Sequence, residues 1–317
     1  MIAEQFDISR IAASRQLTRL ILPKLTMDGS TLFGTDGDGD DDEGYDWMGE
    51  ESILPNSLGQ QHQYLTNNQP MRSIVISGVT SGRGRELFEY LCNHGHNVAG
   101  CGVLPSAIQS LKTKFPTSKL DVVDTTDVES VGQWASKLDA SGMDIDMIIA
   151  NAEVSPGPEQ TRRCLAWEMT GADLDRTMDA NVKGIHTMIR HFVPRLIQKN
   201  NAAATSTSGG VRKERVFVAM SPSMGARLDP LLAAHCASSF AVEGLIKCVA
   251  MSIPEPLSAI TFSSSEVVDG SVQHDKQLAS VGNVNYHSGG DESQWVNIAA
   301  PMLLHMNRDS NGKSMSI

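Results

Sequence analysis

From Met71 onward, short apolar runs alternate with amphipathic helical stretches, and the first run opens directly into a glycine-rich turn. Ile74-Val75-Ile76 leads into Ser77-Gly78-Val79-Thr80-Ser81-Gly82-Arg83-Gly84. A helical period follows from Arg85 to His94, with Leu87, Phe88 and Leu91 on one face and Gly95 as its stop. Further strands are expected at 97–101, 118–123 and 146–150, separated by helices near 108–115 and 128–141. A long helix from about 172 to 198 comes next, then a small-residue surface loop over 202–210. A strand at 216–219, a helix at 236–251, a strand at 259–262, a helix at 295–305 and an edge strand at 313–317 complete the pattern. Alternation of this kind with right-handed crossovers implies an α/β fold with a doubly wound parallel sheet.

The glycine turn has a specific use in such a fold. Glycines at Gly78, Gly82 and Gly84 permit positive φ and a close backbone approach. The amides at Ser81, Gly82, Arg83 and Gly84 and the helix N-terminus can then meet a pyrophosphate. Asp124, at the end of the third expected strand, can either meet an adenine amino group or cap the next helix. For the cap, Asp127 is the better candidate.

Charge divides the chain. Residues 1–70 carry 4 Lys and Arg against 12 Asp and Glu, leaving 22 against 25 for residues 71–317. The first part reads as an acidic, mostly disordered extension, and the second as one near-neutral domain without the basic stripe that nucleic-acid binding needs. Within the extension, a calcium loop starting at Asp36 would need Gly sixth and Glu twelfth, where the chain has Asp41 and Trp47, so no metal site is expected. Residues 8–25 have the Arg-spaced amphipathic character of an organelle targeting segment, with Glu4 and Asp7 against it. Five cysteines without a Cys-x-x-Cys pair, and no apolar run of membrane-spanning length, point to a reduced intracellular, cytoplasmic setting; targeting by residues 1–25 stays open.

A second stretch carries a resemblance. Met220-Ser221-Pro222-Ser223-Met224-Gly225, then His235-Cys236-Ala237-Ser238-Ser239 and Glu243-Gly244-Leu245 resemble the active-site segment of the short-chain dehydrogenase/reductase family. Its pattern is Ser, twelve residues, Tyr, three residues, Lys. The glycine turn resembles the family's Thr-Gly-x-x-x-Gly-x-Gly, and Ala150-Asn151-Ala152-Glu153 its Asn-Asn-Ala-Gly. Asn181-Val182-Lys183-Gly184, Arg190-His191-Phe192 and Asn311-Gly312-Lys313-Ser314 extend the likeness toward plant and cyanobacterial members that resemble pterin-aldehyde reductases.

The resemblance implies a Rossmann-type fold and NADP or NAD as cofactor, held by the turn, Asp124 and Asn151. It also implies pairing with a second copy or another partner through the helices holding Asn181 and His235. In the working family a Tyr passes a proton, a Lys lowers its pKa and holds ribose, a Ser polarises the carbonyl and an Asn holds a relay water. Here Pro222, His235 and Ser239 stand at the Ser, Tyr and Lys positions, and Asn181 alone persists.

Other departures lie along the cofactor path. Gly100-Cys101-Gly102-Val103 puts Val103 where the subgroup has an Arg for the 2′-phosphate, and Glu153 replaces a glycine beside the ribose. Ser264-Ser265 and Asp269 align with the Pro-Gly and Thr that close over nicotinamide. The expectation is a catalytically degenerate relative that works through residual nucleotide or protein binding. Its rival is an active carbonyl reductase using His235 or a relocated acid, and a one-residue register shift would bring Ser221 round to the carbonyl-polarising position that Pro222 occupies.

Overall fold

The computed structural model describes residues 71–154, 163–205, 212–221, 229–263 and 292–316. Seven strands lie in one parallel sheet in the order β3-β2-β1-β4-β5-β6-β7. They are β1 Ser73–Ser77, β2 Asn97–Gly102, β3 Lys119–Val122, β4 Met147–Ala150, β5 Arg215–Ser221, β6 Leu257–Ser263 and β7 Ser314–Ser316. Between them run α1 Gly82–Asn93, α2 Pro105–Lys114, α3 Val128–Ala140, α4 Gly171–Met178, α5 Gly184–Thr205, α6 Ala233–Ser252 and α7 Glu292–Leu304. Strand order reverses between β1 and β4, where β1 pairs with β2 on one side and β4 on the other. That reversal opens a crevice at the carboxyl ends of the strands. The doubly wound α/β architecture is therefore as the alternation implies.

Alternation of side chains along each strand builds two cores. Val75, Ile148, Phe217 and Ala259 face Trp134, Phe192, Leu196, Val242 and Ile246 on α3, α5 and α6. Ile74, Ile76, Ile149, Val218 and Ile260 face Leu87, Phe88, Ile108, Leu111 and Leu303 on α1, α2 and α7. Both faces of the central strands are covered, which is why they read as unbroken apolar runs. Edge-to-face ring pairs reinforce each layer, Trp134 on Phe192 at 5.4 Å and Phe88 on Phe115 at 5.6 Å.

Four features differ from the sequence reading. The first helix begins at Gly82, inside the glycine turn, and α2 begins at Pro105, whose fixed φ and missing N–H suit a first helical position. The long helix is interrupted by a π turn over Asp179–Lys183. Residues 202–205, expected as loop, instead extend α5 to Thr205, as the run Ala202-Ala203-Ala204 favours. The rest of that expected loop, the acidic extension and the 1–25 segment lie outside the described residues. Among the described residues no helix is long and apolar enough to cross a membrane.

At the amino ends of the strands, opposite the crevice, Arg215 is 3% exposed. Its Nε donates to Asn200 Oδ1 at 2.8 Å, Nη1 donates to Ile145 O, and Nη2 pairs with Asp144 at 2.8 Å. This guanidinium joins the end of α5 to the entries of β4 and β5. Arg215→Met keeps the length but leaves buried acceptors without a donor, so unfolding free energy is expected to fall by about 3 kcal/mol in a urea titration.

Candidate functional site

The glycine turn leaves β1 at Ser77, a residue 1% exposed that locks two strand ends together. Its Oγ accepts from Asn151 N at 2.9 Å and Ala152 N at 3.0 Å. Asn151 Nδ2 in turn donates to Ser77 O at 3.1 Å. Asn151 thus braces the turn from below. A Cβ on Gly84 would stand 2.2 Å from Asn151 Nδ2 and 2.3 Å from Gly78 O, so only glycine fits there. Gly78 takes φ 77° and donates its N–H to Cys101 O at 2.8 Å, tying the turn to β2 as well.

Gly82, at φ 52°, has nothing within 4 Å of where a Cβ would stand. The turn is consequently packed from beneath and open above. Ser81 is the α1 N-cap in extended backbone and makes no side-chain cap bond, while the first turn holds no acidic residue. The first amides of any α-helix lack an i−4 acceptor and lie at the positive end of its dipole, and in α1 that end falls within the glycine turn. Arg83 holds its guanidinium 5.6 Å from the Trp295 ring centre on α7.

At the end of β3, Asp127 takes the α3 cap, accepting from Glu129 N at 3.0 Å and Ser130 N at 3.3 Å. Asp124 stays at the exposed rim, its Oδ1 accepting from Thr126 N at 2.9 Å and Thr126 Oγ1 at 2.8 Å. Val103 and Leu104 stand beyond β2, both exposed. Glu153 is exposed two residues past Asn151.

Across the crevice, a set of described polar side chains gathers around the backbone of one residue, Val154. Asn181, 1% exposed on the π turn, accepts Val154 N–H at 2.8 Å on Oδ1 and donates from Nδ2 to Ser238 Oγ at 3.2 Å. His235, also 1% exposed, donates from Nε2 to Val154 O at 2.9 Å. Ser238 Oγ and Ser239 Oγ donate back to His235 O at 2.8 and 3.0 Å. Burial pushes the His235 imidazole below its usual value, the Val154 bond opposing this in part and Arg163 adding to it. His235 is therefore neutral near pH 7.

The structure thus brings Asn181, His235 and Ser239 together and sets Gly78, Ser81, Gly82, Arg83, Gly84, Asn151 and Asp124 along the other side of the crevice. Ser221 ends β5 in register with Ser263 and is 4% exposed. Pro222, Ser264, Ser265 and Asp269 lie outside the described residues. Sequence reasoning missed Ser77 as a brace and Val154 as a hub. A backbone peptide carries no sequence signal, whereas Ser77, at the family's Thr position, did. It also missed the link between Arg163 Nη2 and Asp229 Oδ2 at 2.8 Å, which with the Cys164–Leu232 bridge anchors the chain after β4 to the start of α6.

Residues 72–261 match the short chain dehydrogenase family, and the chain belongs to that family. It is 28% identical over 250 residues to an NADPH-dependent pterin aldehyde reductase of Arabidopsis thaliana, covering 78% of this chain and 93% of that protein. An NADP-dependent 3-hydroxy acid dehydrogenase of Salmonella typhi is 26% identical over 131 residues, 40% of this chain and 50% of that one. Among solved structures, a gluconate 5-dehydrogenase from Burkholderia cenocepacia in complex with NADP and tartrate superposes with a TM-score of 0.60. Its identity is 15%, over 80% of this chain and 96% of that one. A serine dehydrogenase from Escherichia coli gives 0.59 at 14% identity, over 77% and 96%. At these identities the superpositions establish the fold.

The buried imidazole has a thermodynamic signature. The unfolded chain takes up a proton near pH 6.5 and the folded site resists it, so this contribution is present above that pH and is lost as pH falls below it. His235→Gln retains an N–H for Val154 O without titrating. The parent's urea midpoint is expected to drop more steeply than the variant's between about pH 7.5 and 5.5.

Proposed function

We propose that this chain is a short chain dehydrogenase homologue without carbonyl reductase turnover, which retains the diphosphate and adenosine side of a NADP- or NAD-type site. The observation that carries this reading is the set of hydrogen bonds around Val154. A general acid must present its proton to substrate, and the His235 N–H is already given to Val154 O. Ser239 spends its hydroxyl on His235 O and offers no ammonium to lower an acid's pKa or hold a ribose. The neutral state of His235 adds to the argument, because a neutral imidazole is a poor proton donor at pH 7.

A nicotinamide dinucleotide, the group that the family's chemistry implies, meets two different fits. On the diphosphate side the open space above Gly82, the first amides of α1 and the lack of an acidic residue in its first turn suit an anion. Gly82, Arg83 and Gly84 would hold the phosphates through their backbone, with Ser81 and Asn151 shaping the turn and Asp124 at the adenine end. When bound intact, the dinucleotide supplies hydride chemistry. On the opposite side of the crevice, among the described residues, Asn181, His235 and Ser238 give their side-chain hydrogen bonds to one another and to Val154, which leaves them poorly placed to orient a substrate or pass it a proton.

Catalytic loss is tested with the full chain, NADPH, and either a pterin aldehyde or simple carbonyls, following dihydronicotinamide absorbance. No oxidation above a heat-denatured control is expected. Oxidation that His235→Ala abolishes would favour the rival reading, an active reductase with His235 as its acid, and would overturn this one.

For a partner we propose a second copy of the chain, meeting through α5 and α6. The outward face of α6 carries Ala237, Phe240, Gly244, Cys248 and Met251 at helical spacing, with Phe240 47% and Met251 88% exposed. An apolar stripe of this size on a helix is a self-complementary surface for two-fold pairing. Sedimentation is expected to give a dimer for the parent and a monomer for Phe240→Glu.

A further inference from the structure

Along α4, the π turn and α5, the exposed charges are ordered by sign. Asp175, Asp179, Lys183, His186 and Arg190 are all exposed, at spacings of 4, 4, 3 and 4 residues. Thr177, Asn181, Ile185 and Met188 between them are buried, so the five form one row on the outward side of the helix. The extra residue that the π turn inserts keeps Asp179 and Lys183 in line, and Lys183 Nζ stands 3.6 Å from Asp179 Oδ1. Arg176, one residue on from Asp175, lies about a quarter turn round the helix from this row. The row thus begins with two carboxylates and ends with three basic side chains. Two such rows laid in the same direction put like charges together, whereas laid antiparallel they put opposite charges together. Residues 182 and 183 lie midway between Asp175 and Arg190, and equally midway between Asp179 and His186. One two-fold axis beside Val182 and Lys183 therefore serves both pairs.

We propose, resting on the reading of a second copy as partner, that this self-complementary charge row fixes the register in which two copies meet. The two helices lie antiparallel, with Asp175 opposite Arg190 of the second copy and Asp179 opposite its His186, and each pair occurs twice. His186 offers Asp179 an N–H donor. Lys183 faces its own twin near the axis, and its contact with Asp179 offsets that like-charge approach. The apolar stripe of α6 supplies buried area, while the charge row excludes the parallel arrangement and other registers. Asp175 and Arg190 are about 22 Å apart along the helix, and a slip of one turn, about 5.4 Å, parts both pairs. All these side chains are exposed in the single chain, so the pairing is sensitive to salt.

The test is sedimentation velocity of the full chain and of two variants, Asp175→Lys and Arg190→Glu, each alone and the two mixed in equal amounts. Either variant alone sets like charges opposite one another twice over, and is expected to dimerise at least about tenfold more weakly than the parent. In the mixture the unchanged Asp175 of one chain meets the unchanged Arg190 of the other, and the two substituted side chains meet each other. A heterodimer of near-parent affinity is expected at low salt, weakening as salt is raised, and its formation also shows that both variants are folded. If the variants alone dimerise as the parent does, or the mixture is no tighter than either alone, the register falls and pairing through α6 stands. If the parent is a monomer, both fall.

Discussion

The crevice side of this molecule depends on the backbone N–H and carbonyl of Val154. Its N–H is held by Asn181 from the π turn and its carbonyl by His235 from α6, while the preceding residues Asn151 and Ala152 are held by Ser77 at the end of β1. Four elements, β1, β4, the π turn and α6, thus share one short stretch of backbone. All the groups of this set are buried or half-buried. A bond broken there exposes an orphaned donor or acceptor to an apolar surround rather than to water. That gives a physical reason for Asn, His and Ser to stand at these positions independent of any reaction.

The same stretch links the two sides of the crevice. Asn151, wedged under Gly84, fixes the height of the turn, and the turn is in contact with β2 through Thr80 and Gly102. The glycines at 78 and 84 are required by close approach from beneath, the glycine at 82 by a positive φ facing open space. Under the proposed function, a scaffold that receives a diphosphate persists for structural reasons while the opposite wall serves as packing. On that reading these two halves have parted, one retaining a ligand and the other retaining only the fold.

Much of this was legible in the chain. Apolar runs of strand length, the glycine turn after the first of them and the capping pattern at Asp127 each follow from local stereochemistry, and each stands where the periodicity put it. Asn181 as the seat of a helix irregularity was also within reach, since Asn fits such a break. The end of α5 was misread, because the Ser, Thr and Gly residues that follow Ala204 suggested a loop although the alanines themselves favour helix. The use of His235 was not within reach. Its type permits acid, base, ligand or brace, and neither its nearness to Val154 O nor its depth of burial can be read from the sequence.

Sequence alone therefore determined the alternation of strands and helices in a doubly wound parallel sheet and the placing of the glycine turn after its first strand, because these follow from periodicity and glycine stereochemistry. Tertiary structure decided which of the described polar atoms bond one another across the crevice. That question turns on partners 57 and 81 residues apart in the chain, Asn181 with Ser238 and His235 with Val154. Hydrogen bonds over such separations are set by how α6 and the chain after β4 pack together, which no local pattern encodes.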